Sequence, residues 1–227
     1  MSILSLPNLR HYRSKLRLAL DRFIDWRWGI VTIPEIDATA NVGPQSESVG
    51  KFDDALQNQP VSYLLVFWFL GRIVFRHDDV FFDVGCGDGR ALCYVARRRL
   101  LKVVGVELSP VFAEKAQANA RNLKRRLSPI EVRCGDAVDM DYSAGTVFFF
   151  FNPFGAKTLK LVLDNIKQTI ESNPRSIRII YLNPVHSSVF RSSGWLKHAG
   201  GRKSRLIKLD MELWTSEGDS RNAVTEF

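Results

Sequence analysis

Residues 80–90 read VFFDVGCGDGR. The first five are apolar but for one aspartate, the pattern of a short strand buried on both faces. The chain then turns through Gly85, Gly87 and Gly89 and enters a stretch of helical period. Glycines at such a turn let the backbone bend tightly and let a ligand approach the main chain. The helix that follows offers N–H groups with no partner inside it.

Working outward, four more apolar runs share this character: KVVGVE (102–107), PIEVRC (129–134), TVFFFFN (146–152) and SIRIIYL (176–182). Segments of helical period lie between them at 89–100, 110–126 and 156–172. Ser109-Pro110 marks a helix start, with a capping hydroxyl followed by proline in the first turn. Strand–helix alternation with doubly buried strands predicts a parallel α/β sheet. Beyond the fifth strand, GWLKHA (194–199) and SRLIKLDMELW (204–214) read as a terminal pair, with Gly200-Gly201 as its tight turn. The expected fold class is therefore α/β: a Rossmann-like doubly wound sheet of five parallel strands plus a C-terminal antiparallel hairpin, seven strands in all, preceded by an N-terminal helical extension.

That extension begins with a helix over 8–28, whose Leu9, Leu16, Leu20, Phe23 and Ile24 are expected to dock on the main domain. Residues 29–60 hold Gly29, Pro34, Gly43, Pro44, Gly50 and Pro60, and read as a long irregular, lid-like connection. VSYLLVFWFLGRIVF (61–75) reads as a buried helix. It is about five residues short of a bilayer span and carries Arg72, so no membrane partner is expected. The domain reading is an extension over 1–60, a main domain over 61–214 and a polar tail over 215–227.

At 227 residues, 45% hydrophobic and 25% charged, the chain has the composition of one globular domain rather than a disordered or fibrous one. Three cysteines (Cys86, Cys93, Cys134) make no disulfide framework and suggest a reducing, cytoplasmic setting. They lack metal-ligand spacing, and His11, His77, His186 and His198 form no ligand pair, so no metal is expected.

Two ligand classes use a glycine turn of this kind. A dinucleotide fold wants GxGxxG, with the third glycine allowing close helix packing. Arg90 stands at that position, which disfavours NAD or FAD. The alternative ligand is S-adenosylmethionine, which needs acceptors for its ammonium and ribose. Asp83, Glu107 and Asp136 supply carboxylates at the carboxyl ends of three successive strands, where open α/β sheets bind ligands. Glu107 is placed to accept from both ribose hydroxyls, and Asp136 with Ala137 to hold the adenine edge.

DVGCGDGR, VVGVELSP and CGDA resemble the first three motifs of the class I, seven-β-strand S-adenosylmethionine-dependent methyltransferases. The resemblance covers about residues 78–214. It implies the fold, the methyl donor and methyl transfer. It also implies donor contacts from Asp83, Gly85, Cys86, Gly87, Asp88, Glu107, Leu108, Asp136, Ala137 and Asn152. Cys86 reads as a small packing residue and not a nucleophile.

The fourth strand ends in Asn152-Pro153-Phe154-Gly155, on the acceptor side in that family. This is similar to two family patterns. One is the (Asn/Asp)-Pro-Pro-aromatic motif of enzymes that methylate adenine or glutamine amino groups; here it lacks one proline. The other is the Asn-x-Phe strand end of the non-SET protein-lysine methyltransferases. The resemblance implies that Asn152 and Phe154 are catalytic, positioning the acceptor. A protein lysine amine is the first expectation. An RNA or DNA base nitrogen or a small metabolite is the alternative, and a non-catalytic cofactor-binding module a further one. A lysine acceptor must lose its proton, at about 4.6 kcal/mol from a pKa near 10.4 to pH 7. Burial in an apolar channel lowers that cost. No residue stands out as a general base, and His186, after the fifth strand, is the nearest titrating candidate.

The formal charge is +8. Residues 176–209 contain Arg178, Arg191, Lys197, Arg202, Lys203, Arg205 and Lys208 and no acid before Asp210, a stretch able to meet nucleic acid or an acidic protein.

Overall fold

The computed structural model describes residues 7–33, 61–204 and 209–216. The expected lid-like connection falls mostly on 34–60, and the polar tail mostly on 217–227. Both lie outside the described residues, as do Arg205 and Lys208.

Seven strands form one sheet: β1 (Val80–Val84), β2 (Lys102–Glu107), β3 (Ile130–Cys134), β4 (Val147–Phe151), β5 (Arg178–Leu182), β6 (Leu196–Ser204) and β7 (Leu209–Ser216), in the order β3-β2-β1-β4-β5-β7-β6. β1 through β5 are parallel, and β7 joins antiparallel to β5 and β6. The expected class and strand count are those observed. Helices α1 (Pro7–Trp28), α2 (Tyr63–Leu70), α3 (Arg90–Val95), α4 (Pro110–Asn122), α5 (Ala156–Ser172) and α6 (Ser187–Ser192) flank the sheet.

The strands are apolar throughout because both faces are covered. Phe81, Val103, Phe149 and Ile180 point into one core with α1, α2 and α3. Phe82, Val104, Phe148 and Ile179 point into the other with α5 and α6. β1 lies between β2 and β4, so the chain winds outward in opposite senses from this pair. The crevice at the carboxyl ends of β1 and β4 is the switch point where α/β sheets of this kind bind ligands.

Three sequence expectations need correction. Gly200-Gly201 is not a hairpin turn; both residues lie inside β6, where the register shifts between His198 and Gly200. Gly200 has φ +129, and a Cβ on Gly201 would stand 2.6 Å from the Met211 carbonyl oxygen. A bulge and a close backbone approach thus select the glycines that mimic a turn signal. The helix over 61–75 is shorter, Tyr63–Leu70, and not all of it is inside: Tyr63, Leu65, Val66, Phe69 and Leu70 are buried, but Leu64, Phe67 and Trp68 are exposed. Finally, Leu16 and Phe23 do not dock α1 on the domain. Its inner face is Leu20, Ile24 and Trp28, while Leu16 and Phe23 face solvent.

Candidate donor and acceptor site at the switch point

The glycine turn is built as its residue types require. Gly85, Gly87 and Gly89 all take positive φ, of +78, +53 and +82. The Gly85 and Cys86 amides both donate to the Val106 carbonyl, tying the turn to β2. A Cβ on Gly85 would stand 2.5 Å from Pro153 Cβ, so the ends of β1 and β4 meet at this glycine.

Glu107 is engaged from two sides. Its Oε2 accepts from the Gly87 amide at 2.8 Å and its Oε1 from the Ser109 amide at 3.0 Å. Two charge-assisted bonds hold the carboxylate at the end of β2 and leave lone pairs on both oxygens. Ser109 sits before α4, with Pro110 in the first turn as expected, but its hydroxyl makes no capping bond; the Glu107 carboxylate takes the Ser109 amide. Asp136 caps the turn Ala137–Asp139, its Oδ1 accepting from the Val138 amide at 2.9 Å. Tyr142 fixes the same turn by donating to the Ala137 carbonyl.

Asp83 and Asp88 stand out. Both are buried, and each has one carboxylate oxygen, Asp83 Oδ2 and Asp88 Oδ1, with no hydrogen-bond partner. Leaving such an oxygen unpaired costs about 1–3 kcal/mol or more. Burial pushes the Asp83 carboxyl up to about 7, with a backbone hydrogen bond at Leu92 opposing and the Glu107 charge adding. Burial also raises Asp88, against the pull of Lys115 and Arg90. Cys86 is buried, its thiol pushed far up by that burial, and its Sγ occupies the space that a Cβ on Gly105 would need. A protonated, packed thiol is a poor nucleophile.

At the neighbouring strand ends, Asn152 takes φ +44 after β4, and Asn183 takes φ +55 after β5. Tyr181, fully buried, donates to Asn152 Oδ1 at 3.3 Å and accepts from the His186 amide at 3.2 Å. Phe154 is only 7% exposed, its ring 6.3 Å from that of Phe150 in the core beneath the turn. The His186 side chain is half-buried at the start of α6.

The residue that sequence reasoning undervalued is Arg90. Read there only as an obstacle to dinucleotide packing, it is 4% exposed and organises the N-terminal extension. Its Nε donates to Thr32 Oγ1 at 2.7 Å, and its Nη1 to Asp21 Oδ2 at 3.0 Å and the Val61 carbonyl at 2.8 Å. Its guanidinium also covers the Tyr63 ring at 4.7 Å. Asp25 binds Tyr63 Oη and Thr32 beside it. Asn119 of α4 clips the Val31 backbone from both sides and donates to the Asp88 carbonyl. The signal available in the sequence was two aspartates, Asp21 and Asp25, four apart on one face of an otherwise basic helix.

The basic residues of 176–209 are partly spent. Arg178 pairs with Asp79 and Arg191 with Glu212, and Arg202 lies 4.0 Å over the Trp68 ring. Among the described residues no group of acids, histidines and cysteines could hold a metal, and no helix is long and apolar enough to cross a membrane.

Residues 81–172 match a family model described as a methyltransferase domain. Ajmaline N-methyltransferase of Rauvolfia serpentina is 28% identical over 134 residues, 58% of this chain. The match spans 45% of that enzyme, so the chain covers less than half the length of this curated relative. An RNA methyltransferase from Salinibacter ruber, in complex with S-adenosyl-L-homocysteine, superposes with a TM-score of 0.54 and 20% identity, covering 74% of this chain and 100% of that one. A TehB-like methyltransferase from Corynebacterium glutamicum superposes with a TM-score of 0.51 and 15% identity, over 67% of this chain and 87% of its own. The glycine turn, the strand order and the match over residues 81–172 agree: the chain has the seven-strand fold of these methyltransferases, and this stretch is similar to a methyltransferase domain.

Proposed function

We propose that this protein binds S-adenosylmethionine at the switch point and transfers its methyl group to a nitrogen acceptor, with a protein lysine amine as the first acceptor class. The observation that carries the donor assignment is the pair of unpaired, buried carboxylate oxygens of Asp83 and Asp88 at a glycine turn. Such oxygens suit a ligand that brings both cationic charge and N–H donors. Gly85, Cys86, Gly87 and Leu108 supply the surrounding main chain. Glu107 keeps lone pairs for two ribose hydroxyls, and Asp136 with Ala137 meets the adenine edge.

Bound S-adenosylmethionine supplies an electrophilic methyl on a sulfonium sulfur. The protein's own part is to place a nucleophile and exclude water, and positioning of this kind contributes roughly 7–11 kcal/mol. Asn152 presents a carboxamide at the end of β4 with its oxygen oriented by Tyr181, an arrangement suited to accepting a hydrogen bond from an amino group. Phe154 enters through its packing on Phe150, which braces the turn that carries Asn152. The Asn152-Pro153-Phe154 spacing favours the lysine reading, and the N-methyltransferase relative supports nitrogen as the methylated atom.

The test is incubation of the purified chain with labelled donor and a cell extract. Label in protein, as N-methyllysine after hydrolysis, supports the proposal. Label in RNA or DNA, or in small molecules, replaces the acceptor, and no transfer to any fraction points to a binding module. Titration calorimetry reads the donor site separately: Glu107→Ala is expected to abolish S-adenosylmethionine binding, and unchanged affinity would remove Glu107 from the site.

A further inference from the structure

Helix α1 carries a second apolar face that the methyltransferase reading does not use. Leu16, Ala19, Phe23 and Trp26 follow one another at spacings of three, four and three, which places them on one side of the helix. Leu16 is 74% exposed, Phe23 59% and Trp26 71%. The Phe23 and Trp26 rings lie 5.8 Å apart. The helix meets the domain through Leu20, Ile24 and Trp28, so this outer stripe has no part in holding it there.

The charge around the stripe has one sign. Lys15, Arg22 and Arg27 are exposed beside it, and none of them forms an ion pair with a described residue. The two acids of the helix, Asp21 and Asp25, are turned inward and held by Arg90, Thr32 and Tyr63. More cations gather at the C-terminal end of α1. Arg97 covers the Trp28 ring at 4.6 Å and donates to the Lys124 carbonyl, and Lys124, Arg125 and Arg126 are exposed there. Burial and the nearby charges of Arg125 and Arg27 hold the Arg97 guanidinium below its usual range, as crowded like charges do.

We propose that the outer face of α1 docks on an anionic lipid surface, with Leu16, Phe23 and Trp26 entering the headgroup boundary and the flanking cations meeting lipid phosphates. An interfacial helix has this composition: a stripe of aromatic and aliphatic side chains bordered by lysine and arginine, lying in the membrane plane without crossing it. Tryptophan favours that depth. Nucleic acid would engage the cations but leave Leu16 and Phe23 without an apolar partner. A second copy packed face to face about a two-fold axis would set these cations against their own counterparts. The sequence reading expected no membrane partner because it tested for a span and turned Leu16 and Phe23 inward.

The test is co-sedimentation of the full chain with phosphatidylcholine vesicles, with and without about 30% phosphatidylglycerol. Partition onto the anionic vesicles is expected to be at least about tenfold stronger and to fall with added salt. Phe23→Ser with Trp26→Ser is expected to lower it about tenfold or more. Lys15→Glu with Arg22→Glu is expected to remove the preference for anionic lipid. These side chains are exposed, so melting temperatures are expected to stay near that of the unaltered chain. Should the double serine variant not fold, quenching of tryptophan fluorescence by brominated lipid in the unaltered chain reads the insertion directly. Three results would overturn the proposal: no binding to anionic vesicles; equal binding by the serine variant; or binding to an RNA hairpin or self-association that needs Phe23 and Trp26 while vesicles are ignored.

Discussion

Arg90 Nη1 lies 3.0 Å from Asp21 Oδ2, with both side chains buried. The residue that closes the glycine turn is thereby bonded to the N-terminal helix, and the turn and the extension share one polar network. Thr32 and the Val61 carbonyl complete the guanidinium's partners.

Removing one member of such a pair strands the other. Arg90→Leu is expected to cost about 3–5 kcal/mol, because Asp21 is left charged and buried. Adding Asp21→Leu should recover part of that loss, since the uncompensated charge is then gone. Urea unfolding of the two single variants and the double variant measures both statements. A cost under about 1 kcal/mol for Arg90→Leu would mean the pair does not hold the extension in place.

Gly85 is the point where β1 and β4 press together. Alanine there would meet Pro153 Cβ at 2.5 Å on a backbone of φ +78. The positive φ costs roughly 1–2 kcal/mol and the overlap roughly 1–3 more. Gly85→Ala is therefore expected to lose about 2–5 kcal/mol in denaturant melts and to weaken donor binding in calorimetry.

Asp83 is expected to connect pH to both folding and donor affinity. Its carboxyl is raised from an ordinary value of 3.8 to about 7, mainly by burial. In a raised acid the folded state holds the proton more tightly than the unfolded state. Its contribution to stability is then greatest below pH 4, falls between about pH 4 and 7, and is flat above. Asp83→Asn removes that penalty, so it is expected to raise the melting temperature at pH 8 while weakening the donor. A cationic donor selects the ionised carboxylate. Its affinity is expected to rise about eightfold from pH 6 to 7.5, the change in ionised fraction for a pKa near 7. Calorimetry across that range checks the slope, and a flat profile in the unaltered protein would remove Asp83 from the donor contacts.

Variants of Asn152 and Tyr181 are expected to separate binding from transfer. Asn152→Ala is expected to change donor affinity little, its donor contact being one among several, and to slow turnover about 10–100-fold, as a misplaced acceptor does. Tyr181→Phe removes the hydroxyl that orients the carboxamide and should produce a smaller loss of the same kind. Single-turnover rates alongside calorimetry distinguish the two effects. Unaltered turnover in Asn152→Ala would take that residue out of the acceptor site.

Much of this molecule was legible in its sequence because local signals carry it. Strands buried on both faces must be apolar, so β1 and β2 fall at the boundaries read from composition alone. Helix α5, amphipathic over its whole length, begins and ends where its period does. The carboxylates of Asp83, Glu107 and Asp136 were found because strand ends and turn glycines mark the binding edge of such a sheet.

What the sequence determined by itself was thus the strand and helix pattern, the sheet class and the edge on which the carboxylates stand. Each of these follows from the chemistry of a few neighbouring residues. Tertiary structure alone decided that Gly200-Gly201 lies within a strand, because close approach and turning select the same residue. It alone assigned Arg90 to Asp21, sixty-nine positions away, since no local pattern specifies so distant a partner. It also divided the apolar residues of α1 between core and solvent. A helix with hydrophobic side chains on two faces states only that both want cover, and the packing of α2 and α3 chose which face received it.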